Sequence, residues 1–127
     1  MKKAVIYTRH ILTRKKEDDI QTQINICKEY AEKNNIEIVD IYSDLSAEKL
    51  KVYPEFKKLR KKRKALKGHK ILISSMTILG RHLDKIMKFE GYCKKKGVKV
   101  VFIDCENNPA YKFLRLLVKG FKIWKQQ

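Results

Sequence analysis

The chain of 127 residues is long enough for one domain with a hydrophobic core and too short for two domains of ordinary size. Hydrophobic residues make up 43% of it, which argues against a disordered chain even though 35% of the residues are charged. Lys and Arg number 31 against 14 Asp and Glu, and the formal charge of +17 favours a polyanionic partner, with nucleic acid first and an anionic membrane second.

The first predicted element is an apolar strand over residues 4–8, followed by a polar loop over residues 10–18. Asp19 is a favourable N-cap for a helix that runs to about Asn34, because its side chain can accept a backbone N–H of the first turn. Apolar residues recur along this helix at spacings of three and four, which predicts one face turned towards the core.

A second strand is predicted over residues 36–42, and a loop over residues 43–52 follows it. Pro54 suits the first turn of the next helix, because proline lacks the amide hydrogen that would be unpaired there in any case. We expect this helix to extend over residues 54–66 and to end before Gly68.

A short buried strand is predicted over residues 71–75 and a helix over residues 81–96. The apolar run at residues 98–103 is typical of a strand inside a parallel sheet. Pro109 opens a final helix that is expected to reach Trp124.

Strands and helices therefore alternate along the whole chain with short connections. This order predicts an α/β fold with a mostly parallel sheet of four to five strands, helices on both faces and a long C-terminal helix. The chain contains no internal repeat, linker or low-complexity segment, so we expect a single domain over residues 1–127.

The three cysteines show no spacing typical of a disulfide framework or a zinc site. Cys27, Cys93 and Cys105 are therefore predicted to be buried thiols in a reducing cytoplasm. No apolar run approaches the roughly 20 residues that a membrane helix needs, and no signal-peptide pattern opens the chain. Paired carboxylates and a glycine-rich phosphate loop are also missing, so we expect neither a metal nor a nucleotide cofactor.

A series of short motifs resembles the catalytic domain of the serine recombinases, the resolvase/invertase family. Tyr7, Arg9 and Ile11 match the family's opening Tyr-x-Arg-x-Ser, and Gln23 matches the glutamine of its first helix. The further matching segments are Asp44-Leu45-Ser46-Ala47 with Ala47 in place of a glycine, Tyr53-Pro54-Glu55-Phe56 for Arg-Pro-x-Phe, and Met76-Thr77-Ile78-Leu79-Gly80-Arg81 for Leu-Asp-Arg-Leu-Gly/Ser-Arg. The resemblance covers almost the whole chain and implies a three-layer resolvase-like fold.

Four of the matched positions lack the residue that the family's chemistry uses. In the family a serine attacks a DNA phosphodiester, giving a 5′-phosphoserine link, and arginines bind the scissile phosphate. Here Ile11 occupies the position of the nucleophile, and isoleucine has no lone pair. Tyr53 and Ile78 stand in place of arginines, and Thr77 in place of an aspartate. The resemblance therefore implies a degenerate active site.

The resemblance also implies phosphate or DNA contacts by Arg9, Arg81 and Gln23. Guanidinium groups suit this role because they bind phosphate oxygens through two parallel hydrogen bonds. The alternative is that the two arginines form ion pairs with Asp44.

Other hydroxyl and imidazole groups lie near these motifs. Thr13 is a weak substitute nucleophile, two positions beyond Ile11. Ser75 is expected to be a capping residue, and His10 to be a solvated surface residue.

Two basic surfaces are predicted. The helix predicted over residues 54–66 carries the first, which consists of Arg60, Lys61, Lys62, Arg63 and Lys64 and is suited to DNA or merely to solvation. The last helix carries the second, at Lys112, Arg115, Lys119 and Lys122. The corresponding helix of the family forms the dimer interface, which implies a homodimer through Leu114, Leu117 and Phe121; the alternative is that the helix packs on its own sheet.

The sequence thus predicts a resolvase-like protein of DNA recombination, of the mobile-element or phage type, that lacks strand cleavage. It would act by binding DNA or by pairing with an intact recombinase. We expect no C-terminal DNA-binding domain, because the chain stops at Gln127. The alternatives are an active recombinase fragment that uses Thr13 and a non-enzymatic basic protein that binds nucleic acid.

Overall fold

A computed structural model describes residues 2–11, 19–46, 53–62, 64–80, 82–106, 108–110, 113, 116 and 117. Four strands are formed by Lys2–Ile11 (β1), Ile36–Ser46 (β2), Lys70–Ile73 (β3) and Lys99–Phe102 (β4). Three α-helices are formed by Ile20–Lys33 (α1), Pro54–Lys61 (α2) and Leu83–Lys95 (α3), and 3₁₀ turns by Met76–Leu79 and Ile103–Cys105.

The four strands form one parallel sheet in the order β2-β1-β3-β4. The predicted α/β class and parallel sheet are confirmed. From β1 the chain crosses to one side for β2 and then to the other side for β3, so the strand order reverses between β1 and β3. In open α/β sheets ligands bind outside the carboxyl ends of the strands at such a point, and this places a candidate site beyond β1 and β3.

Helices cover both faces of the sheet, as predicted. The middle of β1 and most of β3 and β4 are buried on both sides, which explains the apolar runs at residues 4–7, 71–73 and 100–102, whereas the edge strand β2 also carries exposed and polar residues. The cluster on the α1 face is formed by Ala4, Ile6, Cys27, Ala31, Ile36, Leu72 and Val101. The larger cluster on the face of α2 and α3 includes Val5, Tyr7, Leu59, Ile71, Ile73, Ile86, Val100 and Phe102.

A β-bulge interrupts the pairing of β2 with β1. One extra residue, Val39, lies between Ile38 and Asp40, whose β1 partners are consecutive residues. Side chains of a strand alternate between the two faces of the sheet, and the extra residue shifts this alternation by one position. Even-numbered residues of β2 therefore face α1 before the bulge and face α2 and α3 after it. Ile38 packs on the α1 face, whereas Tyr42 packs on the face of α2 and α3.

The first helix was predicted accurately because its signals are local. The Asp19 carboxylate accepts the backbone N–H of Thr22 at 2.7 Å, which confirms the predicted N-cap. The predicted bounds of β1 and β2 were too short at their carboxyl ends, where the register pairs His10 with Leu45 and Ile11 with Ser46.

The helix predicted to reach Leu66 ends at Lys61, since α2 spans Pro54–Lys61. Repulsion between like charges one turn apart disfavours a continued helix through this lysine-rich segment. Leu66 is nevertheless buried, in a turn that leads into β3.

The C-terminal helix is described only in part. Pro109, Ala110, Phe113, Leu116 and Leu117 have helical backbones, which agrees with a helix that begins at the proline. The predicted extension to Trp124 lies outside the described residues.

The three cysteines are free and buried, as predicted. Burial raises the pKa of the Cys27 thiol to about 12. Burial, together with a hydrogen bond to Asp104, raises the pKa of the Cys105 thiol to about 12 as well. None of the helices in the described part of the chain is long and apolar enough to span a membrane.

Candidate functional site

Arg9 lies near the carboxyl end of β1, beside the point where the strand order reverses. Its backbone N–H donates to Gln23 Oε1 at 3.0 Å, and its carbonyl accepts from Gln23 Nε2 at 2.8 Å. Gln23 is buried on α1, so its amide replaces a neighbouring strand at this position. The predicted contact residue Gln23 therefore acts on the arginine, by fixing its backbone.

Aromatic rings surround the guanidinium of Arg9. Its Cζ atom lies 3.5 Å from the ring centroid of Tyr53, 5.3 Å from that of Tyr7 and 5.2 Å from that of Phe56. Such cation–π contacts are worth about 0.5–2 kcal/mol, more when the cation is desolvated. Tyr53 thus holds Arg9 by stacking.

The Tyr7 hydroxyl connects Arg9 with Asp44. Arg9 Nε donates to Tyr7 Oη at 2.9 Å, and Tyr7 Oη donates to Asp44 Oδ2 at 2.6 Å. Burial raises the pKa of Tyr7 well above its usual value, against the opposing charge of Arg9, so the phenol remains protonated and keeps its role as a donor. Arg9 and Asp44 form no direct ion pair, and the link suggested by the sequence runs through this hydroxyl.

Asp44 also caps α2. The carboxylate is only 2% exposed, and it accepts the backbone N–H groups of Glu55 and Phe56, each at 2.9 Å. Tyr53 at the N-cap position makes no capping hydrogen bond of its own, so the cap comes from β2. A carboxylate at this end of the helix also interacts favourably with the helix dipole.

The donors of the Arg9 side chain are only partly used. In the described portion of the chain, Nε is the only guanidinium nitrogen of this residue with a hydrogen-bond partner. The residue is buried, with an exposed fraction of 8%. Its two Nη groups can therefore bind an oxyanion in the fork geometry that guanidinium favours.

The turn after β3 holds two other positions of the matched motifs. Ser75 caps this turn: its Oγ accepts the Thr77 N–H at 3.3 Å and donates to Asp104 Oδ2 at 2.8 Å. The expected capping role is confirmed. Thr77 Oγ1 lies 2.8 Å from Ser75 Oγ, and the Ile78 side chain is buried in the core, so neither position supplies a charge.

The remaining predicted residues are placed as follows. Ile11 ends β1, two residues beyond Arg9. His10 is half-buried in the same strand, and the expectation of a solvated loop residue was wrong because β1 continues through it. Arg81 and Thr13 lie outside the described residues.

The basic surface on and after α2 is exposed at Arg60, Lys61, Lys62 and Lys64, and Arg63 lies outside the described residues. The Lys62 ammonium lies 5.5 Å from the ring centroid of Tyr42, and a hydrogen bond with that hydroxyl raises the pKa of Lys62. Among the residues with described positions, no group of three or more His, Cys, Asp or Glu side chains is arranged to hold a metal ion.

Sequence reasoning missed the roles of Tyr7 and Tyr53. Both lie in motifs that were singled out, but their contact with Arg9 depends on how α2 packs against the sheet. An aromatic residue directly before the helix-opening Pro54 was the one local signal.

Comparisons with known proteins agree with this architecture. The chain matches the family described as "Resolvase, N terminal domain" over residues 4–126. Among solved structures, it resembles the N-terminal catalytic domain of TP901-1 integrase with a TM-score of 0.75 and 18% identity, covering 98% of this chain and 97% of that chain. A search of curated proteins gave no match.

Two further structures resemble the chain. A resolvase family site-specific recombinase from Streptococcus pneumoniae has a TM-score of 0.70 and 16% identity, with 99% of this chain and 91% of that chain covered. The C-terminal catalytic domain of ISC1926 TnpA, an IS607-like serine recombinase, has a TM-score of 0.66 and 23% identity, with 94% and 78% covered. The family match spans nearly the whole sequence and the fold is the same, so this chain belongs to the Resolvase N-terminal domain family.

Proposed function

We propose that this resolvase-like protein of DNA recombination binds DNA phosphates but does not cleave the strand. It acts by occupying DNA or by pairing with an intact recombinase of a mobile element or phage. The three free, buried cysteines fit the reducing cytoplasm that we propose as its location.

The observation that carries this proposal is the state of the Arg9 site. The arginine is held by Gln23, Tyr7 and Tyr53, with donors left for a phosphate. The position of the nucleophile, two residues further along β1, is Ile11. A site that retains a phosphate donor and lacks a nucleophile supports binding without covalent chemistry.

The neighbouring positions support the same interpretation. Charge that develops on phosphate oxygens during cleavage must be met by fixed donors, and loss of one donor typically costs about 10²–10³ in rate. Tyr53 stacks on Arg9, Thr77 hydrogen-bonds to Ser75, and Ile78 is buried. None of these three side chains carries a charge to the site.

The proposal predicts that the protein forms no covalent link with DNA. Supercoiled plasmid is incubated with the protein and the reaction is stopped with detergent. Nicked or linear DNA and DNA-bound protein are then measured, with an active serine recombinase on its own site as the positive control. A phosphoserine or phosphothreonine link would contradict the proposal. If such a link disappeared in Thr13→Ala, the chain would instead be an active recombinase fragment that uses this threonine.

A non-enzymatic nucleic-acid-binding protein is the second candidate. The exposure of Arg60, Lys61 and Lys64 favours it, because exposed cations can neutralise backbone phosphates regardless of sequence. Copurification with an intact recombinase would favour the first candidate, since only that candidate includes such pairing.

We further propose a homodimer through the C-terminal helix. Leu117 of the predicted interface is 53% exposed, and its neighbours Phe113 and Leu116 are also largely exposed. Leu114 and Phe121, the other predicted interface residues, lie outside the described part of the chain. Exposed apolar side chains grouped on one segment favour a protein partner.

Native mass measurement is expected to give twice the 15.1 kDa mass of the chain. Leu117→Glu should shift the mass to that of one chain, because it places a charge in the interface. Leu45→Glu is the matched control, since Leu45 is 62% exposed on β2, at the opposite side of the sheet from β4, the strand that precedes this helix. A single-chain mass for the unaltered protein, or an equal effect of both substitutions, would contradict the interface.

A further inference from the structure

The amino ends of three adjacent strands place lysines in one row. Lys2 begins β1, Lys70 begins β3 and Lys99 begins β4. The register pairs Lys70 with Lys99 and with Ala4, which shares a face of β1 with Lys2. The three side chains therefore lie on the α1 face at the edge of the sheet opposite Arg9.

A concave surface of about 600 Å³ adjoins this row. Its lining comes from the start of β1, the end of α1 and the turn before β3, and consists of Lys2, Lys3, Asn34, Asn35, Lys67, Gly68 and His69. The turn is fixed by hydrogen bonds from Gly68 N to Gly97 O at 2.9 Å and from His69 N to Leu66 O at 2.8 Å. The concave surface thus adds Lys3 and Lys67 to the row of lysines, together with the neutral side chains of Asn34 and Asn35 as hydrogen-bonding groups.

The positive charges in this cluster are poorly compensated. In the described ranges, none of its lysines forms a salt bridge. Two acids adjoin the cluster: Glu37 is the register partner of Lys3, and Glu106 attracts Lys70 but also accepts a hydrogen bond from Tyr30 at 3.4 Å. Burial, together with the charges of Lys2 and Lys99, lowers the pKa of Lys70. Like charges gathered in this way favour an anionic ligand.

We propose that the amino-edge cluster, formed by Lys2, Lys3, Lys67, Lys70 and Lys99, binds the phosphate backbone of a second DNA segment. Three neighbouring strands lie about 5 Å apart, so their lysines form a row about 10 Å long, and long flexible side chains allow each ammonium group to meet a phosphate of one DNA strand. Lysine ammonium groups act as point charges, and they suit a backbone contact that needs no fixed orientation.

The cluster is separate from the Arg9 site. Lys2 and Arg9 are seven positions apart along β1, so the two surfaces are about 23 Å apart at opposite ends of the strands. One phosphate group cannot reach both surfaces. The domain therefore holds DNA at two places, whether or not the Arg9 site can cleave it.

The salt dependence of DNA binding tests this proposal. Fluorescence anisotropy with a labelled duplex gives the slope of log Kobs against log[NaCl], which falls by about 0.9 for each phosphate contact that is lost. The variant K2Q/K70Q/K99Q is expected to lose about 2.7 from the slope. K28Q/K85Q/K88Q removes the same charge from exposed positions on α1 and α3, and its slope should change by less than about 1.

Three more variants separate the effect of charge from effects on folding and on the Arg9 site. K2R/K70R/K99R keeps the positive charges, so its slope should equal that of the unaltered protein. The DNA binding that remains in K2Q/K70Q/K99Q should weaken further when Arg9→Gln is added, because the Arg9 site is a separate contact. If the triple variant does not fold, K2Q/K99Q changes only exposed lysines and should lose about 1.8 from the slope. Equal slopes for the cluster and control variants, or no DNA binding by the unaltered protein, would overturn the proposal. So would lysine-dependent binding to phosphatidylserine vesicles with no change in the DNA slope.

Discussion

Replacing Asp44 with alanine is expected to lower the free energy of unfolding by about 3 kcal/mol or more. The substitution removes the acceptor of three hydrogen bonds, from the Tyr7 hydroxyl and from the backbone N–H groups of Glu55 and Phe56. Each buried donor left without a partner costs about 1–3 kcal/mol, and α2 loses the charge at its N-terminus. The effect is large because one carboxylate connects β1, β2 and α2.

Urea unfolding at constant m-value measures this loss. Asp44→Asn keeps the shape and one acceptor oxygen, so it should cost clearly less than Asp44→Ala. Asp40→Ala is the matched control, because Asp40 is an exposed aspartate of the same strand, and its effect should stay within about 0.5 kcal/mol. Similar losses for Asp40→Ala and Asp44→Ala would show that the capping network does not stabilise the fold.

Restoring the nucleophile alone is expected to leave the protein inactive. Ile11→Ser supplies a hydroxyl, but under the proposed correspondence with the family motifs three other positions, Tyr53, Thr77 and Ile78, still lack a charged group. At about 10²–10³ for each of the two missing arginine donors, the rate would remain about 10⁴–10⁶ below that of a complete site. The plasmid assay with detergent stop is therefore expected to show no covalent adduct for Ile11→Ser.

The structure also explains why a fuller repair is difficult. Tyr53→Arg would remove the ring that stacks on Arg9 and place two like charges together. Ile78→Arg would bury a charge in the core, which costs several kcal/mol without a partner. Thr77→Asp lies on the exposed side of the turn and is the mildest of the three. An adduct linked at position 11 in Ile11→Ser alone would show that the arginines still present suffice for cleavage.

Local signals in the sequence predicted much of the fold. The Asp19 cap and the proline at the start of α2 act within one helical turn, and both were identified correctly. The lengths of β1 and β2 were underestimated because strand ends depend on pairing between residues about 35 positions apart, as between Thr8 and Ser43. Polar residues there resemble a loop until the partner strand is known.

The sequence predicted which residues form the candidate site, but it did not predict how these residues contact one another. Arg9, Gln23 and Asp44 were identified from motifs, and the structure brings all three together through Tyr7 and the backbone of β1. The sequence could not show that Gln23 binds the backbone of Arg9, or that Tyr53 stacks on its guanidinium. These contacts arise from the packing of α1 and α2 at the same sheet edge, which no single segment encodes.

The bulge at Val39 has a consequence for how this site can be lost. If Val39 were paired with β1 as an ordinary strand residue, Asp44 would lie on the same face as Ile38, turned towards α1 and away from Tyr7. The capping network thus depends on the bulge in β2 as well as on the identity of the residues. An insertion of one codon between the bulge and Asp44, unless a second bulge absorbed it, would dismantle the site while every one of its residues stayed in the gene. Inheritance of the motif and inheritance of the geometry are therefore separate events in this chain.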